Sequence, residues 1–392
     1  MEKAAKFNPN RNFAEFLYGY TTVLKTGGDF VNYLSVKLKE IFDQRESKVK
    51  RSSDTIGTLA EAYMTVTALL GITLFVLYEV EAILTHSSGG IQSLFIYAFV
   101  AVPLLSVIFL WILDGTQIKQ PYVDMRPYKA FAISAPVGGV LFLLPLPLTL
   151  TLHVSLALAT MVAAPSVLSI RYGRERRGME KALPDFIRDM AEGRKIGLPP
   201  ESTLEQLASK NYGRLSKHVR KMGSQISWGV ALRKVVNTFT TEVHSWITRA
   251  VGTLMMEVID VGGGTVKSFS DMADFTRKVN DLENEKTSML RPYIFVIYMS
   301  GIMVVVTTFL MAYLLVQASS IGPAGFTAFP ALDRNTIDLL FVSAIFQGWV
   351  VGFVAGKMGE GSVASGFKHS LVLVVVSIAT IYLGSIFIKL PL

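Results

Sequence analysis

Seven long apolar runs limit what this chain can fold into. They occupy 56–84, 92–113, 130–146, 149–170, 293–316, 337–356 and 370–388. A helix needs about 20 apolar residues to cross the hydrocarbon layer of a membrane. The connections between the runs differ in charge. Residues 1–55 hold 10 Lys/Arg against 7 Asp/Glu, 114–129 hold 3 against 2, 171–290 hold 20 against 15, and 357–369 hold 2 against 1. The alternate connections, 85–91 and 147–148, carry no charge, and 318–336 carries only Asp333 and Arg334. Lys and Arg concentrate on the cytoplasmic side of membrane proteins. One threading then satisfies every connection: seven spans, N-terminus cytoplasmic, C-terminus outside. The expected domains are a cytoplasmic helical segment, 1–55; four spans, 56–170; a cytoplasmic helical bundle, 171–290; and three spans, 291–392. The fold class is all-α.

Composition narrows the partners. Only 17% of the 392 residues are charged and the mean hydropathy is +0.43, whereas soluble domains average about 25% charged. The net charge of +8 divides between the two large cytoplasmic parts, which suits anionic lipid headgroups or an acidic protein surface. No basic stripe is interleaved with aromatics, so nucleic acid is not an expected partner. There is no cysteine, hence no disulfide or thiol chemistry. The polar opening of the chain predicts no cleaved leader.

The chain also repeats itself. Shifted by 235 positions, residues 23–78 align without a gap and are identical at ten positions, among them Gly27, Gly28, Tyr63 and Tyr78. Each copy reads as glycines, then a charged amphipathic helix, then an apolar run. Internal repeats of this kind report a repeated structural unit.

Elsewhere helical spacing dominates. Phe13, Phe16, Leu17 and Tyr20 form one stripe. Val31, Leu34, Leu38, Ile41 and Phe42 form another, opposite charged residues. Lys48, Lys50 and Arg51 read as an anchor at the membrane edge. In 171–290 the stripes are Leu183, Phe186, Ile187, Met190; then Tyr212, Leu215, Val219, Met222, Ile226; then Leu232, Val235, Val236. Pro184 reads as a first-turn proline, and Ser202 with Glu205 as a capping box. A helix is expected over 248–261. Pro145 and Pro147 predict a tight hairpin, and the glycines and serines of 357–369 a flexible inner loop.

No motif carries catalysis. Gly262-Gly-Gly-Thr-Val-Lys267-Ser268 resembles a phosphate loop, but Val266 stands where that loop needs glycine, and the segment before it is helical. Its twin at Gly27 lacks the Lys-Ser pair, so a helix–helix corner is the reading. His86, His153, His218, His244 and His369 lack metal spacing. Asp185, Asp189 and Glu192 alternate with Lys181 and Arg188, as on a solvated face. Glu61, Glu79, Glu81 and Asp338 all lie near span ends, although charge within a membrane is a functional flag. Pro136, Gly138 and Gly139 read as packing residues between helices. In 114–129, Asp124 and Arg126 sit among Tyr122 and Tyr128 and read as a loop tied to its neighbours. Catalytic, cofactor and metal sites are therefore all expected to be absent.

The order of these features resembles the type II secretion F domain of the polytopic platform proteins of pilus-like machines. The residues that carry it are ALPDFIRDMAEGRKIGLPPESTLEQLA (182–208), ISWGVALRKVVNTF (226–239) and VGGGTVKSFSDMADF (261–275). AGKMGEGSVASGFKHSLVL (355–373) is similar to the inner loop of the archaeal branch, which serves archaella and adhesive pili. No counterpart of 182–239 precedes Gly27. The resemblance implies a dimeric platform with no catalysis of its own. It implies a cytoplasmic hexameric ATPase as partner, and pilin-like or archaellin-like subunits as cargo. The expected ATPase-facing residues are Arg171, Arg174, Arg176, Arg177, Arg214, Lys217, Arg220, Lys221, Arg233 and Lys234. A transporter or a passive scaffold stands as the alternative.

Overall fold

The computed structural model describes residues 2–85, 95–119, 124–262, 264–320 and 334–388. Tyr122 and Gly263, and the side chains of Glu79 and Glu81, lie outside the described residues. The helices are α1 (Glu2–Lys6), α2 (Arg11–Thr26), α3 (Phe30–Thr85), α4 (Val102–Thr116), α5 (Arg126–Leu143), α6 (Leu150–Lys195), α7 (Pro200–Leu207), α8 (Ser216–Ser227), α9 (Leu232–Glu242), α10 (Trp246–Asp260), α11 (Val266–Ser320), α12 (Arg334–Glu360) and α13 (Val363–Ile388). A π-helical stretch, Tyr97–Ala101, runs into α4, and a 3₁₀ turn, Gly213–Leu215, runs into α8. No strand occurs among the described residues.

The chain divides into two units, Met1–Asp54 and Thr55–Leu392. In the first, α2 ends at Gly27 with φ 69°, a left-handed conformation that favours glycine. The chain then folds back, and Tyr33 donates its hydroxyl to the Phe16 carbonyl at 3.1 Å while Tyr20 meets Phe30 edge to face. The stripe read from Val31 to Phe42 stays partly open: Val31, Leu38 and Ile41 are exposed.

In the second unit, five helices are long and apolar enough to cross a membrane among the described residues: Tyr97–Thr116, Leu150–Lys195, Val266–Leu314, Arg334–Glu360 and Val363–Ile386. Two of the seven expected spans are not in this set. The apolar half of α3 runs into side chains outside the described residues. The α5 helix has 18 residues and opens on two cations, Arg126 and Lys129, which lowers its apolarity.

The repeat is visible in the helices. A left-handed glycine, Gly27 in one copy and Gly262 (φ 74°) in the other, precedes a helix of 56 residues (α3) and one of 55 (α11). At 1.5 Å per residue α11 is about 80 Å long. It and α6, with 46 residues, run unbroken from the membrane part into the bundle. Pro184 therefore lies inside α6, not in a first turn as its sequence context reads. The capping box read at Ser202 is corrected as well: α7 begins at Pro200, and the Thr203 hydroxyl donates to the Pro199 carbonyl at 3.0 Å. Proline at a first helical position loses no hydrogen bond, which explains the earlier start.

The inner loop expected over 357–369 is also corrected. Helix α12 continues to Glu360 and α13 starts at Val363, so only Gly361 (φ 73°) and Ser362 turn the chain. The cause is glycine. A Cβ on Gly356 would stand 2.7 Å from the Ser365 carbonyl carbon, and one on Gly366 would stand 2.7 Å from the Phe353 Cα. Gly352 abuts the Ser370 backbone, and the Ser365 hydroxyl donates to the Gly356 carbonyl at 2.9 Å. Small residues four apart let two membrane helices pack backbone to backbone. Likewise Gly138 of α5 packs on the Ala157 carbonyl, and Ser134 donates to the Met161 carbonyl at 2.6 Å.

Two apolar clusters hold the membrane part together. One joins Ile56, Ala60 and Tyr63 of α3 to Leu113, Leu290, Ile297, Val354 and Met358. The other joins Phe309 and Ala312 of α11 to Phe341, Ile345, Val374 and Ile381. In the bundle, Leu183, Phe186 and Met190 of α6 are buried, as are Leu204, Leu215, Val219, Val235, Phe239, Val251, Met255 and Phe269.

The glycine contact gives a direct test. Gly356→Ala forces α12 and α13 apart, and overpacking of a close-packed contact costs about 1–3 kcal/mol. The melting temperature of the purified protein should fall by several degrees. Gly139→Ala, which meets nothing within 4 Å, should leave it unchanged.

Candidate functional site

Every expected inner connection of the second unit converges on one cleft of about 610 Å³. Its walls come from 114–119 and 124–128, from 169–179 of α6, from Lys217 and His218 of α8, from the turn at Glu242–His244, and from 357–365. At its floor Lys357, at the end of α12, reaches Asp114 Oδ1 at 2.6 Å, and Lys119 reaches Oδ2 at 2.8 Å. These ammonium groups hold the Asp114 carboxylate in its charged form. Gln117 donates through Nε2 to the Lys357 carbonyl at 2.6 Å. The Tyr128 hydroxyl accepts from the Ala364 N–H at 3.1 Å. The described parts of this loop, 114–119 and 124–129, are thus tied to their neighbours, in line with the sequence reading.

Across the cleft, Arg126 binds the bundle. Its guanidinium lies 4.7 Å from the Tyr172 ring centroid and donates to the ring of His244. An imidazole that accepts from a guanidinium is the neutral form. Burial and the Arg126 charge both push the His244 pKa below its ordinary 6.5. His218 is pushed down too, chiefly by burial.

Beside the cleft, Glu360 joins α6 and α13 through Arg177 at 3.7 Å and through Lys368. Tyr298 of α11 lies 2.7 Å from His369 Nδ1. At the opposite end of the spans, Thr151 donates to Asp338 at 2.8 Å. The two expected sides of the membrane therefore keep separate sets of polar contacts, and Asp338 sits at a helix end, as read from the sequence.

The ten cations singled out in the sequence do not form one patch. Arg171, Arg174 and Arg177 are exposed along α6, and Arg176 is half-buried, 3.8 Å from Glu180. The stem of Arg214 lies across Gly178 of α6. Lys217, Arg220 and Lys221 share the exposed face of α8, opposite Val219 and Met222, and Lys221 pairs with Glu242. Arg233 and Lys234 are exposed at the start of α9, with Arg233 at 3.6 Å from Asp260. Arg176 and Lys217 line the cleft.

The glycine corner at Gly262 follows helix α10, and Thr265 caps α11 by accepting from the Ser268 N–H at 3.2 Å. A phosphate loop would need a strand before it. No group of metal-ligating side chains occurs among the described residues.

Sequence reading missed Gln117, Lys357 and His244 as partners across the cleft. Their contacts span 240, 243 and 118 positions, and periodicity cannot report such separations. The available signal was the cluster of polar and aromatic residues at the span ends.

Three comparisons bear on this geometry. Residues 186–313 match the family model of the type II secretion system (T2SS), protein F. The matched segment starts within α6, takes in the bundle from Phe186 onward and ends inside the apolar part of α11. An uncharacterized protein of Methanocaldococcus jannaschii is 24% identical over 205 residues, covering 50% of this chain and 32% of the relative. The chain thus spans about a third of the length of the curated relative it matches. No solved structure matches. With its apolar helices the chain is a multi-pass membrane protein, and its residues 186–313 are similar to protein F of the type II secretion system.

The two histidines set a pH dependence. In the unfolded chain they take up protons near pH 6.5, while the folded chain resists. Stability is therefore complete above that pH and falls as pH drops through it. Acidifying purified protein from about pH 7.5 to about pH 5.5 should lower its melting temperature, and His244→Gln should reduce the drop.

Proposed function

We propose that this chain is the membrane platform of an archaeal pilus-type machine, coupling a cytoplasmic hexameric ATPase to the assembly or rotation of a filament of pilin-like subunits. The observation that carries the reading is the F-type domain that ends within a continuous helix. The matched residues 186–313 contain both the bundle and part of a membrane span, with α11 unbroken between them.

That continuity gives the coupling a physical basis. A displacement of the bundle acts on α6 and α11 directly, because their inner ends supply its core: Leu183, Phe186 and Met190 from one, Phe269, Met272 and Val279 from the other. At the membrane boundary a Cβ on Gly57 would overlap the Tyr293 ring, so α3 and α11 are in close contact there. Helices packed this tightly move together as packed bodies.

The charge pattern favours an N-terminus in the cytoplasm and a C-terminus outside. The bundle then faces the cytoplasm with the expected set of ten cations, and chemical energy comes from the partner. The platform works as a homodimer in this reading. A relative from Methanocaldococcus jannaschii supports the archaeal branch.

The test is reconstitution with a hexameric secretion-type ATPase from the same organism. The platform in vesicles should bind the ATPase and raise its turnover severalfold. Arg220→Glu with Lys234→Glu, both exposed, should weaken binding about tenfold or more, as loss of charge complementarity does. Undiminished binding at moderate salt overturns the docking assignment. ATP hydrolysis by the platform alone, or protease access to 171–290 from outside the cell, overturns the whole reading.

A further inference from the structure

Helices α3 and α11 are copies of one repeat, yet only one of them has its cytoplasmic face covered. In α3, Val31, Leu34, Leu38 and Ile41 follow one another at intervals of three, four and three residues. That is the a and d spacing of a coiled-coil seam. Val31 is 65% exposed and Leu38 and Ile41 47% each, with Leu34 half-buried. Shifted by 235 positions, the four fall on Val266, Phe269, Ala273 and Thr276 of α11. There Phe269, Ala273 and Thr276 are buried, where α11 packs along α6. In the first unit α2 takes a neighbouring face of α3 instead: Phe16 and Tyr20 meet Tyr33 and Phe30. The seam itself is left open.

Lipid cannot cover it. Helix α3 is unbroken from Phe30 to Thr85, and the apolar run inside it opens at Ile56. At 1.5 Å per residue, Ile41 stands about 22 Å along the helix from that run and Val31 about 37 Å. A second copy of the chain meets the requirement. Two copies in one membrane enter it in the same direction, so their α3 helices run parallel, and like layers of the seam meet. The flanking e and g positions hold Ser35, Lys37, Phe42 and Gln44, so no like charges face each other across the pair. Lys37 is paired within its own helix, with Glu40 at 2.8 Å. The next a and d positions are Arg45 and Lys48, whose like charges would repel across the axis and end the seam at Ile41. Four layers are few for helices free in water, but anchoring both in one membrane raises their effective concentration.

We infer that the cytoplasmic half of α3 is a contact between two copies of this chain, a parallel helix pair with Val31, Leu34, Leu38 and Ile41 at its seam. In the second copy of the repeat the bundle fills that face from within the chain. In the first copy the same face is filled by its own counterpart. The inference gives the homodimer of the platform reading its surface and rests on that reading for the dimer alone. Its test uses no ATPase, so either can fail without the other.

The experiment uses the full chain, which has no cysteine of its own, in the membranes that express it. Leu38→Cys and Ile41→Cys are made singly. Val36→Cys, 59% exposed on the opposite side of the helix, is the comparison. Mild oxidation and non-reducing gels then read the covalent dimer. Leu38→Cys and Ile41→Cys should each give roughly fivefold more of it than Val36→Cys, because a and d positions meet their own counterparts. In detergent, Leu38→Glu combined with Ile41→Glu should lower the dimer population roughly fivefold or more by mass photometry. Both positions are exposed in the single chain, so this variant keeps its fold, which an unchanged melting temperature checks. Equal crosslinking at 36 and 38, no crosslinking at 38 and 41, or crosslinks to a different protein alone overturn the inference. So does a dimer that the double variant leaves unchanged.

Discussion

The close approach of α12 and α13 sets the geometry of everything at the inner face. Helices with ordinary side chains at their contact lie 8–10 Å apart. Here Gly352, Gly356 and Gly366 remove the side chains, and each helix meets the backbone of the other. Two membrane helices gain little from hydrophobic burial against each other, because lipid is as apolar as they are. Close dispersion contact and short polar bonds must do that work instead. Ser365 bonds to the Gly356 carbonyl and Ser370 to the Trp349 carbonyl. The turn at Gly361–Ser362 is a consequence, since helices this close need only two residues to connect them.

That turn in turn positions the polar network. Lys357 lies at the last turn of α12, so its reach to Asp114 and its carbonyl's bond to Gln117 follow from where α12 ends. Glu360, three residues on, meets Arg177 and Lys368. Fixing one hairpin therefore fixes the inner end of α4, the entry into α5 and a point on α6. The bundle is attached at this rim twice more, by Arg126 to His244 and by α11 itself.

Much of this was legible in the sequence, for identifiable reasons. Long apolar runs and alternating charge are strong, local signals, and the described helices follow them. The repeat was legible because glycine is needed for the left-handed corner at Gly27 and Gly262. The local readings that failed share one cause. Pro184 and Ser202 were assigned to helix starts from their neighbours alone, whereas α6 passes through its proline because the bundle core holds it on both sides. The glycines of 355–366 read as a loose loop because glycine in water means a turn, while glycine between membrane helices means contact. The same residue type reverses its meaning with its solvent.

The cleft shows why the site was less legible than the fold. Its members lie in five segments, and their charges nearly cancel, so no stretch of sequence looks like a binding motif. What distinguishes it is pairing over long separations: Lys357 with Asp114, Gln117 with the Lys357 carbonyl, and Arg126 with His244. Charge excess, the basis for choosing the ten cations, measures something else. Several of those cations are already paired, Lys221 with Glu242 and Arg233 with Asp260, and a cation paired within its own domain has less of its charge left for a partner. Arg220 and Lys234 sit exposed on the outer face of the bundle, where a large protein has room to approach. Lys217, exposed on the same helix, also lines the cleft. The same set of basic residues is thus divided by its surroundings, some paired within the bundle and some exposed on its surface.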